Sequence, residues 1–256
     1  MTNAQKTPIV LITGGSRGLG RSMALHLAER GVDIILTYRA AASEASEVCE
    51  RVRALGRKAV ALPLDVADSA SFDAFGKSVA AELERTFGRR QFEYLVNNAG
   101  TSLHASIAET TEAQLDEVYS VHFKAPFLLT QRLLPLIADG GRIINVSSGL
   151  ARMTIPGSAA YGAMKAAVET FTRYAAKELG GRKITANVIA PGAIATDFSG
   201  GRVRDNPELN KQIASMTALG RVGLPDDIGG AVAMLLSPES GWINGQRIEA
   251  SGGMGL

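Results

Sequence analysis

The chain reads as an α/β protein: one parallel sheet with helices packed on both faces. Three observations lead there. Strand-like and helix-like segments alternate from end to end, the order that βαβ crossovers impose. The strand-like segments are continuously apolar rather than alternating, as in Ile9-Val10-Leu11-Ile12 and Ile143-Ile144, so both of their faces expect cover. A glycine-rich turn, Thr13-Gly14-Gly15-Ser16-Arg17-Gly18-Leu19-Gly20, separates the first strand from the first helix. In doubly wound sheets, ligands bind beyond such strand ends.

In order, the first strand spans 9–13 and the first helix 18–30; a second strand covers 33–38. A helix over 44–55 is closed by Gly56, which turns a helix end without a Cβ penalty. The third strand, 58–64, runs into Asp65-Val66, and 69–86 is helical. A fourth strand, 94–96, ends in the turn Asn97-Asn98-Ala99-Gly100. Residues 111–137 form one long helical stretch, bent at Pro126 and Pro135, where the ring removes an N–H and crowds the preceding turn. A fifth strand (142–146), a helix (158–179), a sixth strand (183–189), a helix (226–236) and a last strand (246–249) complete the pattern. Between 195 and 217 it lapses: the segment is polar, carries Gly200-Gly201 and has only a weak helical period. A long irregular insert beside a packed sheet is expected to be a mobile lid over a site. No linker or repeat divides the chain, so 8–256 reads as one domain behind a flexible N-terminus, 1–7.

The 256 residues are 46% hydrophobic and 20% charged, enough for a sizeable core. The net charge of +2 is dispersed, leaving no basic run for nucleic acid or an anionic membrane. No apolar run has the length of a membrane span, and Met1-Thr2-Asn3-Ala4-Gln5-Lys6 lacks the apolar centre of a secretion signal. The one cysteine, Cys49, permits no internal disulfide, which agrees with a reducing compartment. A cytoplasmic protein is expected.

The candidate chemistry concentrates in Tyr161-Gly162-Ala163-Met164-Lys165. Residues four apart on a helix are neighbours, so the Tyr161 hydroxyl and the Lys165 ammonium point at one place. A phenol has a pKa of about 10. A fixed cation beside it favours the phenolate and lowers that value, toward the range where acid–base catalysis is effective. Ser147-Ser148 ends the apolar run that precedes this helix.

The first turn has the spacing Gly14-x-x-x-Gly18-x-Gly20. Glycine backbone lets a ligand approach closely, and the helix N-terminus beyond it offers free N–H groups and positive dipole character to phosphate. The same residues also spell a nucleophile elbow, G-x-S-x-G, with Ser16 as the nucleophile of a serine hydrolase. That reading is weak. Such an elbow normally follows several strands, and its triad ends in a late histidine, whereas His26, His104 and His122 all lie in the first half.

Together these markers resemble the classical short-chain dehydrogenase/reductase family, and within it the 3-oxoacyl-carrier-protein reductases. The resemblance rests on the Gly turn, Asp65, Asn97-Asn98-Ala99-Gly100, Ser148, Tyr161-x-x-x-Lys165, Pro191-Gly192, Gly220-Arg221-Val222-Gly223-Leu224-Pro225-Asp226-Asp227, and Gly245-Gln246 followed by Gly252-Gly253. It runs from Pro8 over nearly the whole chain. It implies a doubly wound, Rossmann-like sheet of seven parallel strands, assembly as a homotetramer or homodimer, and hydride transfer between a nicotinamide and a carbonyl or alcohol carbon. Tyr161 would then exchange the proton, and Lys165 would lower its pKa and hold the nicotinamide ribose. Ser148 would polarise the substrate oxygen; it is chosen over Ser147 because the family's serine stands thirteen residues before the tyrosine. Gly14, Ser16, Gly18, Leu19, Gly20, Tyr38, Ala99 and Gly100 would border the dinucleotide. Asn97 would support the backbone near the adenosine ribose, Asp65 would meet the adenine amino group, and Val66 would flank the ring. Pro191, Gly192, Ile194 and Thr196 would line the nicotinamide end.

An acid about twenty residues past the Gly turn binds the ribose 2′-OH of NAD. The second strand instead ends Leu36-Thr37-Tyr38-Arg39. Arg39 together with Arg17 suits a 2′-phosphate, which guanidinium groups grip with several donors, so NADP(H) is expected over NAD(H). One departure is evident. Where the family carries Val-Asn-Leu, this chain has Val121-His122-Phe123, placing His122 where an asparagine completes the family's proton relay. An imidazole there would add a step near pH 6–7 to the rate profile if it titrates with the relay. Ser102, Leu103, Ala151, Met153, Pro156 and the segment 198–216 are candidate substrate contacts and are mostly apolar, favouring a small or hydrophobic ketone. Arg202 and Arg204 offer contacts to an acidic carrier or coenzyme A phosphate. A non-catalytic nucleotide-sensing domain is the other class, since fold does not set function.

Overall fold

The structure is a computed structural model and describes residues 7–256. The expected flexible N-terminus, Thr7 apart, lies outside the described residues. Seven strands form one sheet: β1 (Ile9–Ile12), β2 (Asp33–Tyr38), β3 (Ala59–Pro63), β4 (Phe92–Asn97), β5 (Ile137–Val146), β6 (Thr185–Pro191) and β7 (Arg247–Ala250). All pair in parallel, in the order β3-β2-β1-β4-β5-β6-β7. The chain starts mid-sheet, winds to one edge, then crosses back past β1 to β4. That reversal opens a crevice at the carboxyl ends of β1 and β4.

The connecting helices are α1 (Gly18–Glu29), α2 (Ala42–Ala54), α3 (Phe72–Glu82), α4 (Glu112–Tyr119), α5 (Ala125–Leu133), α6 (Ala159–Glu178), α7 (Arg202–Asp205), α8 (Pro207–Ser215) and α9 (Pro225–Leu235). The continuous apolar strands have the expected consequence. Val10 and Ile12 of β1 enter one core, shared with α1, α2 and α9, while Ile9 and Leu11 enter the other, shared with α3, α5 and α6. No helix among the described residues is long and apolar enough to cross a membrane.

Two segments differ from the sequence expectation. Residues 111–137 are not one bent helix. Thr111 starts α4 with a capping box to Gln114. A π-helical turn, Ser120–Lys124, then separates α4 from α5. It lies just before Pro126, whose missing N–H cannot close an ordinary turn on the His122 carbonyl. A 3₁₀ turn at Leu134–Leu136 leads into β5 at Ile137, earlier than expected. The segment 195–217 is also more ordered than its composition suggests. A tight turn with Ser199, Gly200 and Gly201 at φ 56°, 67° and 77° leads into α7 and α8, and the Asn206 side chain caps α8 by accepting from Leu209 N at 3.0 Å.

Helices α1 and α9 pack closely because Gly229 has no side chain. A Cβ there would lie 2.6 Å from His26 Cδ2 and 2.9 Å from the Ser22 carbonyl carbon, against the Ser22 Oγ–Asp226 Oδ1 hydrogen bond of 2.6 Å. Gly229→Ala is expected to lower stability by about 1–3 kcal/mol, read as a lower urea midpoint with an unchanged slope.

Candidate active site

The Gly turn is clasped from β4. Thr13 Oγ1 accepts from the backbone N–H groups of Asn98 and Ala99, each at 3.0 Å, and Asn98 Nδ2 donates to the carbonyls of Thr13 at 2.9 Å and Gly14 at 3.0 Å. Gly14 and Gly18 sit at φ 67° and 54°, a region open to glycine. A Cβ on Gly20 would meet Asn98 Nδ2 at 2.7 Å. Asn98 was not singled out from sequence, although it is the second asparagine of the quoted turn. Its role follows from the β1–β4 pairing. Helix α1 opens without a side-chain cap and without an acid in its first turn, so its first N–H groups and positive end face the crevice unanswered. Ser16 is buried, Arg17 exposed, and Leu19 half-buried in this turn. Thr196, from the other side of the crevice, lies close: a Cβ on Gly18 would stand 3.7 Å from Thr196 Cγ2.

The second strand delivers Tyr38, half-buried, and Arg39, exposed, at the same carboxyl edge as Arg17. Asp65 is exposed and accepts from Ala67 N at 2.9 Å, with Val66 half-buried beside it. Asn97 points inward, donating to Asn145 Oδ1 at 2.7 Å and Thr130 Oγ1 at 3.2 Å, so what it lends the crevice is backbone position. Pro191 ends β6; Gly192 packs on Ser251, where a Cβ would lie 2.9 Å from Ser251 Cα. Ile194 bridges to Gly223. Thr196 Oγ1 accepts from Phe198 N at 3.2 Å.

Helix α6 carries Tyr161 and Lys165 on one face, both buried. Lys165 Nζ lies 5.5 Å from the Tyr161 ring centroid and donates to the Val146 carbonyl at 2.7 Å. Burial pushes the Lys165 amine down to about 7. It also pushes the Tyr161 phenol up to about 12, with the neighbouring Ser148 hydroxyl working the other way. The expected lowering of Tyr161 by Lys165 is therefore outweighed: desolvation penalises both charged forms, and the amine is directed at a carbonyl. Ser148 Oγ accepts from Leu150 N at 3.2 Å.

His122 sits in the π-helical turn, its ring edge-on to Tyr161 at 5.0 Å between centroids and 80° between planes. Its Nε2–H donates to the Thr101 carbonyl at 2.8 Å, which leaves Nδ1 as a bare acceptor, buried and unpartnered. Gly100 lets the ring in: a Cβ there would lie 3.0 Å from His122 Cε1. Burial, reinforced by Lys165, drives the imidazole down to about 2. Burial thus works against the step near pH 6–7 expected from a titrating His122. Both causes favour the neutral ring.

One side of this corner is apolar at Phe198. The Phe198 ring lies 6.3 Å from that of Tyr161, and Phe198, Ile155 and Met216 are exposed. Met153 packs between Gly149 and Gly255. Loops 101–105 and 154–158 meet through Ala105 N to the Gly157 carbonyl at 3.0 Å.

Comparison with known proteins gives one family match and three similar proteins. The sequence model of a family described as enoyl-(acyl carrier protein) reductase matches residues 14–255. The hydroxynaphthalene reductase-like protein Arp2 of Metarhizium brunneum is 37% identical over 270 aligned positions, covering 99% of each chain. Tetrahydroxynaphthalene reductase PfmaG of Pestalotiopsis fici is 38% identical, over 96% of this chain and 90% of its own. Among solved structures, the angucycline C-6 ketoreductase LanV with bound NADP superposes with a TM-score of 0.92 at 34% identity, covering 97% of this chain and 96% of that one.

The buried neutral imidazole makes the fold acid-sensitive. Unfolded His122 takes up a proton below its ordinary pKa of about 6.5, whereas the native ring does not until about 2. Stability therefore falls as pH drops through that window, by about 2 kcal/mol at pH 5 from this group. Denaturation of wild type and His122→Asn between pH 7 and pH 5 is expected to show the flatter dependence in the variant.

Proposed function

Since the chain belongs to the short-chain dehydrogenase/reductase family, we propose that it is an NADPH-dependent ketoreductase with Tyr161 as its proton donor. That it interconverts a ketone and an alcohol on a small molecule with a nicotinamide cofactor follows from its reductase relatives and the NADP-bound neighbour. The hydrolase reading of Ser16 falls with that assignment. The residue roles, the preference for NADP(H), and the substrate class are the proposal. The observation that carries it is the convergence of Ser148, Tyr161 and Lys165 on one buried corner beside the uncapped helix end.

The residues present fit a dinucleotide phosphate. The open N–H groups of α1 and the glycines around them suit the diphosphate, and exposed Arg17 and Arg39 suit a 2′-phosphate. When bound, the nicotinamide supplies or accepts the hydride. The Ser148 hydroxyl polarises the carbonyl oxygen. Tyr161, protonated at neutral pH because its phenol is held near 12, gives its proton to the oxygen as negative charge develops there. Lys165 would hold the nicotinamide ribose, and its amine, near 7, exchanges protons close to neutral pH. Neutral His122 supports this corner as a hydrogen-bond acceptor whose state does not change over the working pH.

For the substrate, Phe198 beside Tyr161 and the exposed apolar side chains of Ile155 and Met216 suit a flat hydrophobic ketone, and the hydroxynaphthalene names of the relatives favour a fused aromatic ring. Arg204 is engaged by Asp197 and by Asp205 at 2.7 Å, which speaks against its reserve for an acyl-carrier phosphate. Residues 195–217 act as the substrate lid of a single catalytic domain, in a cytoplasmic homo-oligomer, a tetramer or a dimer.

A panel of an aryl or fused-ring ketone, an α-diketone, an acetoacetyl thioester and a ketose, each with NADPH and NADH, tests the reading. Fastest turnover of the ring ketone with NADPH is expected; preference for the thioester would make this a 3-oxoacyl reductase. Tyr161→Phe should abolish turnover and leave NADPH binding intact, which also separates an enzyme from a nucleotide sensor. Removing both guanidinium groups, Arg17→Ala with Arg39→Ala, should raise the KM for NADPH roughly 10- to 100-fold and leave that for NADH nearly unchanged.

A further inference from the structure

We infer that Glu169 and Arg247 are positioning residues for Ser148, through an ion pair that ties the last strand of the sheet to the end of β5. Side chains at 161, 165 and 169 are spaced by four along α6 and so form one stripe, which meets the end of β5 nearly residue by residue. Tyr161 stands beside Ser148. Lys165 Nζ donates to the Val146 carbonyl at 2.7 Å. Ser147 Oγ donates to Glu169 Oε1 at 2.6 Å. Below them, Asn145 Nδ2 donates to Thr172 Oγ1 at 2.8 Å. Glu169 thus shares a contact surface with the tyrosine and lysine of the proposed chemistry.

Arg247, the first residue of β7, completes the arrangement. Its Nε donates to Glu169 Oε1 at 2.7 Å and its Nη2 to the Ser148 carbonyl at 3.2 Å. Its Nη1 pairs with Glu249, which also accepts from Arg152 Nη1 at 3.1 Å. The side chains of Arg247 and Glu169 are only 16% and 12% exposed, unlike the solvated pairs that contribute little. Ser148 is consequently held on two sides: its preceding residue through Glu169, its own carbonyl through Arg247. Its hydroxyl already accepts from Leu150 N, so the freedom left to Oγ is movement of the main chain, and that is what the ion pair restrains. A guanidinium is suited to the task because its fork of donors spans two carboxylates and a carbonyl at once. A lysine in its place would reach fewer of these oxygens.

The inference rests on the role given to Ser148 above. Its test uses the purified full chain with NADPH and the best ketone of the panel, well below the melting temperature of each variant. Arg247→Met is expected to lower kcat by roughly 10- to 100-fold, the cost of a small misplacement near the reacting atoms, with the KM for NADPH unchanged. Arg247→Lys should recover part of that loss. A variant that melts earlier yet keeps the wild-type kcat would reduce the pair to a structural tie and overturn the inference. Glu169→Gln keeps an acceptor for Ser147 while removing the charge, and serves where Arg247→Met fails to fold; kcat should fall in the same direction. Crystal structures of wild type and Glu169→Gln add a readout that needs no turnover. Displacement of Ser148 Oγ is expected, and an unmoved strand end overturns the inference. A wild type that reduces no ketone of the panel sinks the reaction reading instead, and the crystal comparison then decides the positioning role alone.

Discussion

Everything in the candidate site depends on a lysine amine held inside the protein at the end of β5. Lys165 is only 5% exposed, and the one hydrogen bond of its amine among the described residues is to the Val146 carbonyl. Burying an ammonium is costly, and the molecule answers by moving the amine toward neutrality. The same dry environment raises the Tyr161 phenol and suppresses the His122 imidazole. Three titratable groups in one corner are thereby pushed toward their neutral forms by the same largest cause, desolvation, with Lys165 adding to it at His122 and Ser148 opposing it at Tyr161.

That corner exists because of the sheet. A parallel sheet buried on both faces puts its strand ends along one edge, and the reversal between β1 and β4 leaves a crevice there. The Thr13–Asn98 clasp fixes the Gly turn against β4, and α6 lays its polar stripe over the end of β5. The apolar packing of two cores is thus converted into the placement of a few polar groups. The uncapped start of α1 and the convergent hydroxyls are both places where the fold leaves polar groups short of partners, as a binding site requires.

The departures from expectation share one origin. The widened turn around His122 follows from Pro126, a local feature, but its consequence is not local. It turns the imidazole against Tyr161 and the Thr101 carbonyl, residues distant in sequence. The segment 195–217 looked irregular because Ser199, Gly200 and Gly201 break its helical period, yet the turn they form is what aims α7 and α8.

The fold class and the order of strands and helices were legible in the sequence because alternation and apolar runs are local properties set by periodicity. The Gly turn and the Tyr161–Lys165 pair could also be picked out as candidates, because each lies along a single element, whereas Ser148 was chosen over Ser147 only by the spacing of the family it resembles. Tertiary structure alone decided the direction in which these groups are pushed, since desolvation depends on what surrounds a group and not on its neighbours in sequence. It also decided that Asn98 rather than Asn97 grips the Gly turn, and that Glu169 and Arg247 meet at Ser148. Those contacts join elements that only the strand order brings side by side, and no pattern within a single element encodes them.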